Sequence, residues 1–191
     1  MLAPMPTNKL PGTYRSADGA EVEFAEAMAT WIPLAHDELV ATARSYHAVT
    51  TYPELSRRVQ DSSGITTRKL PARWIGQLLE EVAVRAKQQG DPPLTSLCVT
   101  RDGTIGDDYA RAPRSTTDEP GEDIELYAAQ HRLLCYRRFA DDLPANGGRP
   151  ALTKAEQQRR AQKLAQDPPP RPKCPTCFTE LPTSRTCDYC A

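Results

Sequence analysis

Four cysteines near the end of the chain stand in two pairs, Cys174-Pro175-Thr176-Cys177 and Cys187-Asp188-Tyr189-Cys190, with nine residues between them. A gap of two residues lets both thiolates of a pair reach one ion, with backbone N–H groups free to bond the sulfurs. Two such pairs close a tetrahedral shell of four thiolates around Zn2+. That shell leaves no position for water, which catalytic zinc requires, so the chemistry it implies is structural metal binding. A redox pair, a disulfide clip and an iron–sulfur site are the competing readings of the same spacing. The loop between the pairs is shorter than in the usual ribbon, which predicts a minimal knuckle. The segment offers only Phe178, Leu181 and Tyr189 as a core, so metal binding would supply most of its folding free energy.

The other residues with chemical potential do not form a catalytic set. Cys98 and Cys135 stand among apolar neighbours and read as buried thiols. His36, His47 and His131 have no cysteine or carboxylate at ligand spacing and read as cap or core histidines. Asp107-Asp108 and Asp141-Asp142 adjoin turns, and adjacent carboxylates do not by themselves converge on one substrate. The expectation is a protein that is not an enzyme.

Charge is patterned rather than large. The whole chain carries a net −1, which excludes a generic polyanion binder. Between Tyr52 and Gly90, Arg57, Arg58, Arg68, Lys69, Arg73, Arg85 and Lys87 face Glu54, Asp61, Glu80 and Glu81, a local net of +3. Between Thr153 and Lys173, Lys154, Arg159, Arg160, Lys163, Arg171 and Lys173 stand against Glu156 and Asp167, a local net of +4. Residues 118–125 are acidic.

The elements that must position these groups are mostly helical. Residues 1–18, with Pro4, Pro6 and Pro11, read as a flexible leader. Val22, Phe24, Ala25, Met28, Ala29 and Ile32 recur at helical spacing until Pro33, and a second helix is expected over residues 36–48. Thr51 followed by Glu54 forms a capping box for a short helix over 52–60, with Pro53 in its first turn and Gly64 beyond its end. Pro71 opens the most regular helix, over 71–89. Trp74, Ile75, Leu78, Leu79, Val82 and Ala86 make its apolar face, and Gly90 is its C-cap. Leu94 to Thr100 and Ile105 to Tyr109, joined by Arg101-Asp102-Gly103-Thr104, read as a hairpin. A polar loop over 111–121 and a helix over 124–139 follow. Thr153 and Glu156 open a polar helix that bridges or projects. Four prolines in the six residues 167–172 then make a stiff spacer.

The order of helix, short helix, longer helix and hairpin is that of a winged helix–turn–helix. Within it, Thr51-Tyr52-Pro53-Glu54-Leu55, Ala72-Arg73-Trp74-Ile75-Gly76, Pro93 to Val99, and Asp102-Gly103 with Ile105-Gly106 follow in sequence. Together they resemble the DNA-binding domain of alkylguanine-DNA alkyltransferases and alkyltransferase-like proteins, over residues 36–109. The resemblance implies that Arg73 probes the groove as a finger entering the base stack. It implies that Tyr52 contacts the backbone beside a flipped nucleotide, and that Arg57, Arg58, Arg68, Lys69 and Arg101 hold phosphates. It fails at the chemistry: no Pro-Cys-His-Arg run is present, and Thr95 falls about where the alkyl-accepting cysteine would be, with no histidine after it. Alkyl transfer is therefore not expected.

The fold expected is mainly α with a small β-hairpin. Its parts are a leader over 1–18, a helical domain over 19–149 with a winged helix–turn–helix core over 36–109, a polar helix and linker over 150–172, and a zinc knuckle over 173–191. The function expected is non-enzymatic DNA binding, regulatory or accessory, with structural Zn2+ and a knuckle that contacts nucleic acid or protein. The alternative is a protein–protein adaptor or an accessory subunit of a DNA-processing, restriction or repair system. No apolar run has the length of a membrane span, and residues 1–14 lack a signal-peptide core, so a cytoplasmic location is expected.

Overall fold

A computed structural model describes residues 12–112, 121–166, 172–182 and 186–190. The leader up to residue 11, most of the polar loop (113–120) and most of the proline spacer (167–171) lie outside the described residues. The chain divides into two compact units, Met1–Glu156 and Gln157–Ala191. The division falls inside the polar helix rather than at the spacer.

The first unit is built on helices. Helix α1 runs unbroken from Phe24 to Ala43 with Pro33 inside it, where the sequence pattern predicts two helices. Proline removes one N–H from the ladder and crowds the preceding turn. Burial of Trp31, Ala35, His36 and Leu39 on the same helix outweighs that cost. Helix α2, Tyr52–Ser63, opens on the expected capping box: Glu54 N–H donates to Thr51 Oγ1 (3.4 Å), and Thr51 N–H donates to Glu54 Oε2 (2.8 Å). Gly64 ends it at φ 66°, a left-handed position that favours glycine. Helix α3, Ile75–Gln89, is preceded by a separate 3-10 turn, Pro71–Arg73, so Trp74 caps the helix rather than lying within it. Helix α4, Ile124–Phe139, is capped by the Asp123 carboxylate, which accepts from the N–H groups of Glu125 and Leu126.

An aromatic cluster fixes how α1, α2 and α3 meet. The Trp31 and Trp74 rings lie 4.7 Å apart, and Phe24 meets both edge-on at 6.0 and 6.5 Å. Each indole is satisfied: Trp31 Nε1–H donates to Ser63 Oγ (3.0 Å) and Trp74 Nε1–H to the Lys69 carbonyl (3.3 Å). Leu39, Leu55, Val59, Leu78, Val82, Leu94 and Leu97 complete the core.

Two short sheets pin the loops. Strand β1, Thr13–Arg15, pairs antiparallel with β3, Ile65–Thr67, so the last part of the expected leader is ordered against the end of α2. Strand β2, Thr50–Thr51, pairs in parallel with β4, Cys98–Val99. This corrects the expected hairpin. Residues Leu94–Leu97 form a 3-10 turn, Asp107–Arg111 form another, and no strand returns over Ile105 to Tyr109. β4 pairs with the distant β2 instead, and the Glu125 carboxylate accepts the Ile105 N–H at 2.7 Å, tying the following segment to α4. What remains of the turn is the bond from Thr100 N–H to the Thr104 carbonyl (2.8 Å). Arg132 of α4 is buried and donates to the Ser96 carbonyl at 3.2 Å, holding the 3-10 turn Leu94–Leu97 from below.

Helix α5, Lys154–Gln166, crosses from the first unit into the second. Its capping residue Thr153 accepts the Glu156 N–H and donates to the Gly103 carbonyl (2.6 Å). Among the described residues, no helix is long and apolar enough to cross a membrane.

Candidate functional site

The second unit gathers the four predicted cysteines. The Sγ atoms of Cys174, Cys177, Cys187 and Cys190 all lie within 4.8 Å of one another, and none forms a disulfide. Four thiolates around one zinc at Zn–S of about 2.3 Å stand roughly 3.8 Å apart, and Cys177 and Cys187 are already at 3.5 Å. The first pair sits in a tight reversal: Phe178 N–H donates to the Cys174 carbonyl (2.9 Å) and Cys174 N–H to the Thr179 carbonyl (2.8 Å). Backbone N–H groups of Cys177 and Thr176 lower the Cys174 thiol below its ordinary value. The Thr179 hydroxyl and N–H hold the Cys177 thiol down at about 6, whereas the Cys177 sulfur pushes Cys190 up to about 12. Four clustered thiols thus compete over which of them ionise, and a cation that displaces their protons removes the conflict. The donor set fits a bound metal ion.

The first unit holds a cavity of about 720 Å³. Tyr52 from the start of α2, Arg73 from the turn before α3 and Gly76 from the first turn of α3 line it, together with Thr95 and Cys98 before and in β4 and Thr100, Thr104 and Gly106 beyond β4. Glu80 and Asp107 add two carboxylates to the lining. The size falls inside the range of about 300–1,000 Å³ found for ligand pockets. Its other wall is apolar, from Ile75, Leu79 and Ile105.

Comparisons with protein-family models, with curated proteins and with solved structures find no match. The site must therefore be read from its own residues.

Of the seven predicted DNA contacts, Tyr52 and Arg73 both line the cavity, and the other five do not. Arg73 is exposed. Arg57 pairs with Asp61 (3.0 Å), and Arg58 with Glu38 (3.3 Å). Lys69 places its Nζ 3.6 Å from the centre of the Phe24 ring. Arg68 and Arg101 are exposed. Cys98 is fully buried, and desolvation pushes its thiol far above the ordinary range, so no thiolate is available in this cavity.

Two parts of the lining are not evident from the sequence. Gly106 falls in the expected return strand, yet a Cβ there would overlap the Tyr52 hydroxyl, so glycine is what lets Tyr52 take its place at the cavity. Tyr109, also placed in a strand, lies in the 3-10 turn, and its hydroxyl bonds His131 Nδ1 of α4 at 2.7 Å. The Gly103-to-Gly106 spacing of small residues after β4 is the signal that could have indicated a close approach.

Proposed function

We propose that this chain is a non-enzymatic DNA-binding protein whose contact surface is the rim of the cavity between Tyr52 and Arg73, and whose cysteine cluster holds a structural Zn2+. The observation that carries the proposal is the convergence of Tyr52 and Arg73, far apart in sequence, on one cavity. Under the resemblance to the alkyltransferase DNA-binding domain, these are the residues that contact the backbone at a flipped nucleotide and enter the base stack. The cavity supplies the space that an extruded base requires. Hydroxyls of Thr95, Thr100 and Thr104 and the carboxylates of Glu80 and Asp107 can bond base edges. The two carboxylates oppose phosphate, so they suit a base-facing role and not a backbone-facing one.

Arg57 reaches phosphate by exchanging Asp61, an exposed pair worth about 0–1 kcal/mol, so the exchange costs little. No wing enters this proposal, because the expected hairpin does not form; α2 and the turn before α3 present the rim. Zinc is the metal proposed because four thiolates in a closed tetrahedron suit it.

The test is fluorescence anisotropy of labelled duplex DNA with the zinc-loaded protein across a salt series. Affinity that falls linearly on a log–log plot with a slope of several units supports phosphate contacts. No binding at low salt overturns the proposal.

A further inference from the structure

Each half of the cysteine cluster carries an aromatic ring facing solvent. Phe178, which follows Cys177, is 73% exposed, and Tyr189, which precedes Cys190, is 82% exposed. A single exposed apolar side chain needs no explanation, but here both halves of one small cluster carry an exposed ring. Phe178 is odder still, because its φ is +58°, a left-handed conformation that costs an ordinary residue energy and glycine none. The knuckle turn imposes that conformation, since Phe178 N–H closes onto the Cys174 carbonyl. Glycine would serve the turn with neither strain nor exposed apolar surface. A phenylalanine held in that conformation raises the question of what its ring could meet outside the chain.

The surroundings say what that is. Lys173 directly precedes the first ligand and is exposed. Over Gln157–Ala191 the sequence carries Arg159, Arg160, Lys163, Arg171, Lys173 and Arg185 against Asp167, Glu180 and Asp188, a net of +3 in a protein whose total is −1. A zinc tetrathiolate takes back two of those charges, spread over sulfurs that accept N–H bonds. Exposed rings in a segment whose sequence is rich in cations suit single strands, whose bases stack on rings and whose phosphates meet cations. Paired bases keep their faces stacked on each other and cannot use them.

We infer that the cysteine knuckle is a stacking platform for single-stranded nucleic acid, with Phe178 and Tyr189 each holding a base. The inference rests on the reading that the four cysteines hold zinc, and not on the Tyr52–Arg73 cavity. Because each ring is one residue from a metal ligand, loss of the metal would release both.

The experiment uses the full-length zinc-loaded protein with labelled oligo(dT), oligo(rU) and duplex DNA. It compares wild type with Phe178→Ala, Tyr189→Leu, the double variant and Arg73→Ala. Cobalt substitution, read by its visible spectrum, reports whether the four-sulfur site survives in each variant. The expected result is tight single-strand binding that falls on the order of tenfold with each ring lost, with an unchanged cobalt spectrum. The dT and rU arms show whether the strand is DNA or RNA. Single-strand affinity that is undetectable in wild type, or equal in wild type and the double variant, overturns the inference. A wild type that binds no cobalt or zinc overturns the metal reading itself. Tyr189→Leu keeps apolar bulk without a stacking face, so an equal affinity in that variant also counts against stacking.

Discussion

The Tyr52 hydroxyl lies over Gly106 so closely that a single methyl group on the glycine would occupy its place. Gly106 has an ordinary extended backbone (φ −73°), so its small size and not its conformational freedom is what the site uses. The contact joins the first residue of α2 to the loop beyond β4 and sets where Tyr52 stands on the cavity wall.

Gly106→Ala should therefore displace Tyr52. Overpacking of this kind costs about 1–3 kcal/mol of stability, and DNA affinity should fall with it. Urea unfolding and anisotropy on the same preparation check this. Gly76→Ala, where an added Cβ meets nothing, is the control expected to leave stability unreduced.

Arg132 is 2% exposed and ties α4 to the turn that carries Thr95. Burial pulls its pKa down, yet the guanidinium keeps carbonyl partners at Ser96 and Ala151. Arg132→Ala leaves a void and an unmet Ser96 carbonyl, for an expected loss of about 3–5 kcal/mol. Chemical denaturation measures it; a loss below 1 kcal/mol would contradict the assigned role.

The Thr51–Glu54 capping box predicts a pH dependence. The Thr51 N–H and hydroxyl hold the Glu54 carboxyl below its usual range. A folded value below the unfolded one means that the stabilisation is complete above the ordinary carboxylate range. It is lost as pH falls through the lowered value. Glu54→Gln should thus be less stable than wild type near neutrality, with the gap closing in acid, as thermal melts at several pH values would show. Thr51→Ala should cost about 1 kcal/mol.

Metal removal should act on one unit alone. A strong chelator, or Cys177→Ser, is expected to abolish zinc stoichiometry and make Gln157–Ala191 protease-sensitive. The melting of the helical unit should be unchanged, because its core contains none of the four cysteines. Limited proteolysis with mass spectrometry and calorimetry together read both effects.

What could be read from the sequence was local. The Thr51–Glu54 cap, the glycine stops at 64 and 90 and the burial of Trp74 follow from residues within a few positions of each other, and the clustering of four cysteines from two close pairs with nine residues between them. The continuity of α1 through Pro33 was not legible, because burial of Trp31 and Leu39 against distant helices decides it. Strand β1 was hidden for the same reason: Thr13 pairs with Thr67 across 54 residues. The hairpin expected after α3 does not form because Cys98–Val99 pair with the distant Thr50–Thr51, and Glu125, 20 residues on, takes the Ile105 N–H. The cavity assembles residues from Tyr52 to Ala112, and no short-range pattern encodes that convergence.

The dissociation constant for duplex DNA of wild type against Arg73→Ala, at one fixed low salt, tests the central claim most directly. The account predicts a loss of tenfold or more for Arg73→Ala with the fold intact by circular dichroism, because Arg73 stands at the cavity that would receive the base. Equal affinity in the two proteins would contradict it and remove the Tyr52–Arg73 rim as the DNA-binding surface.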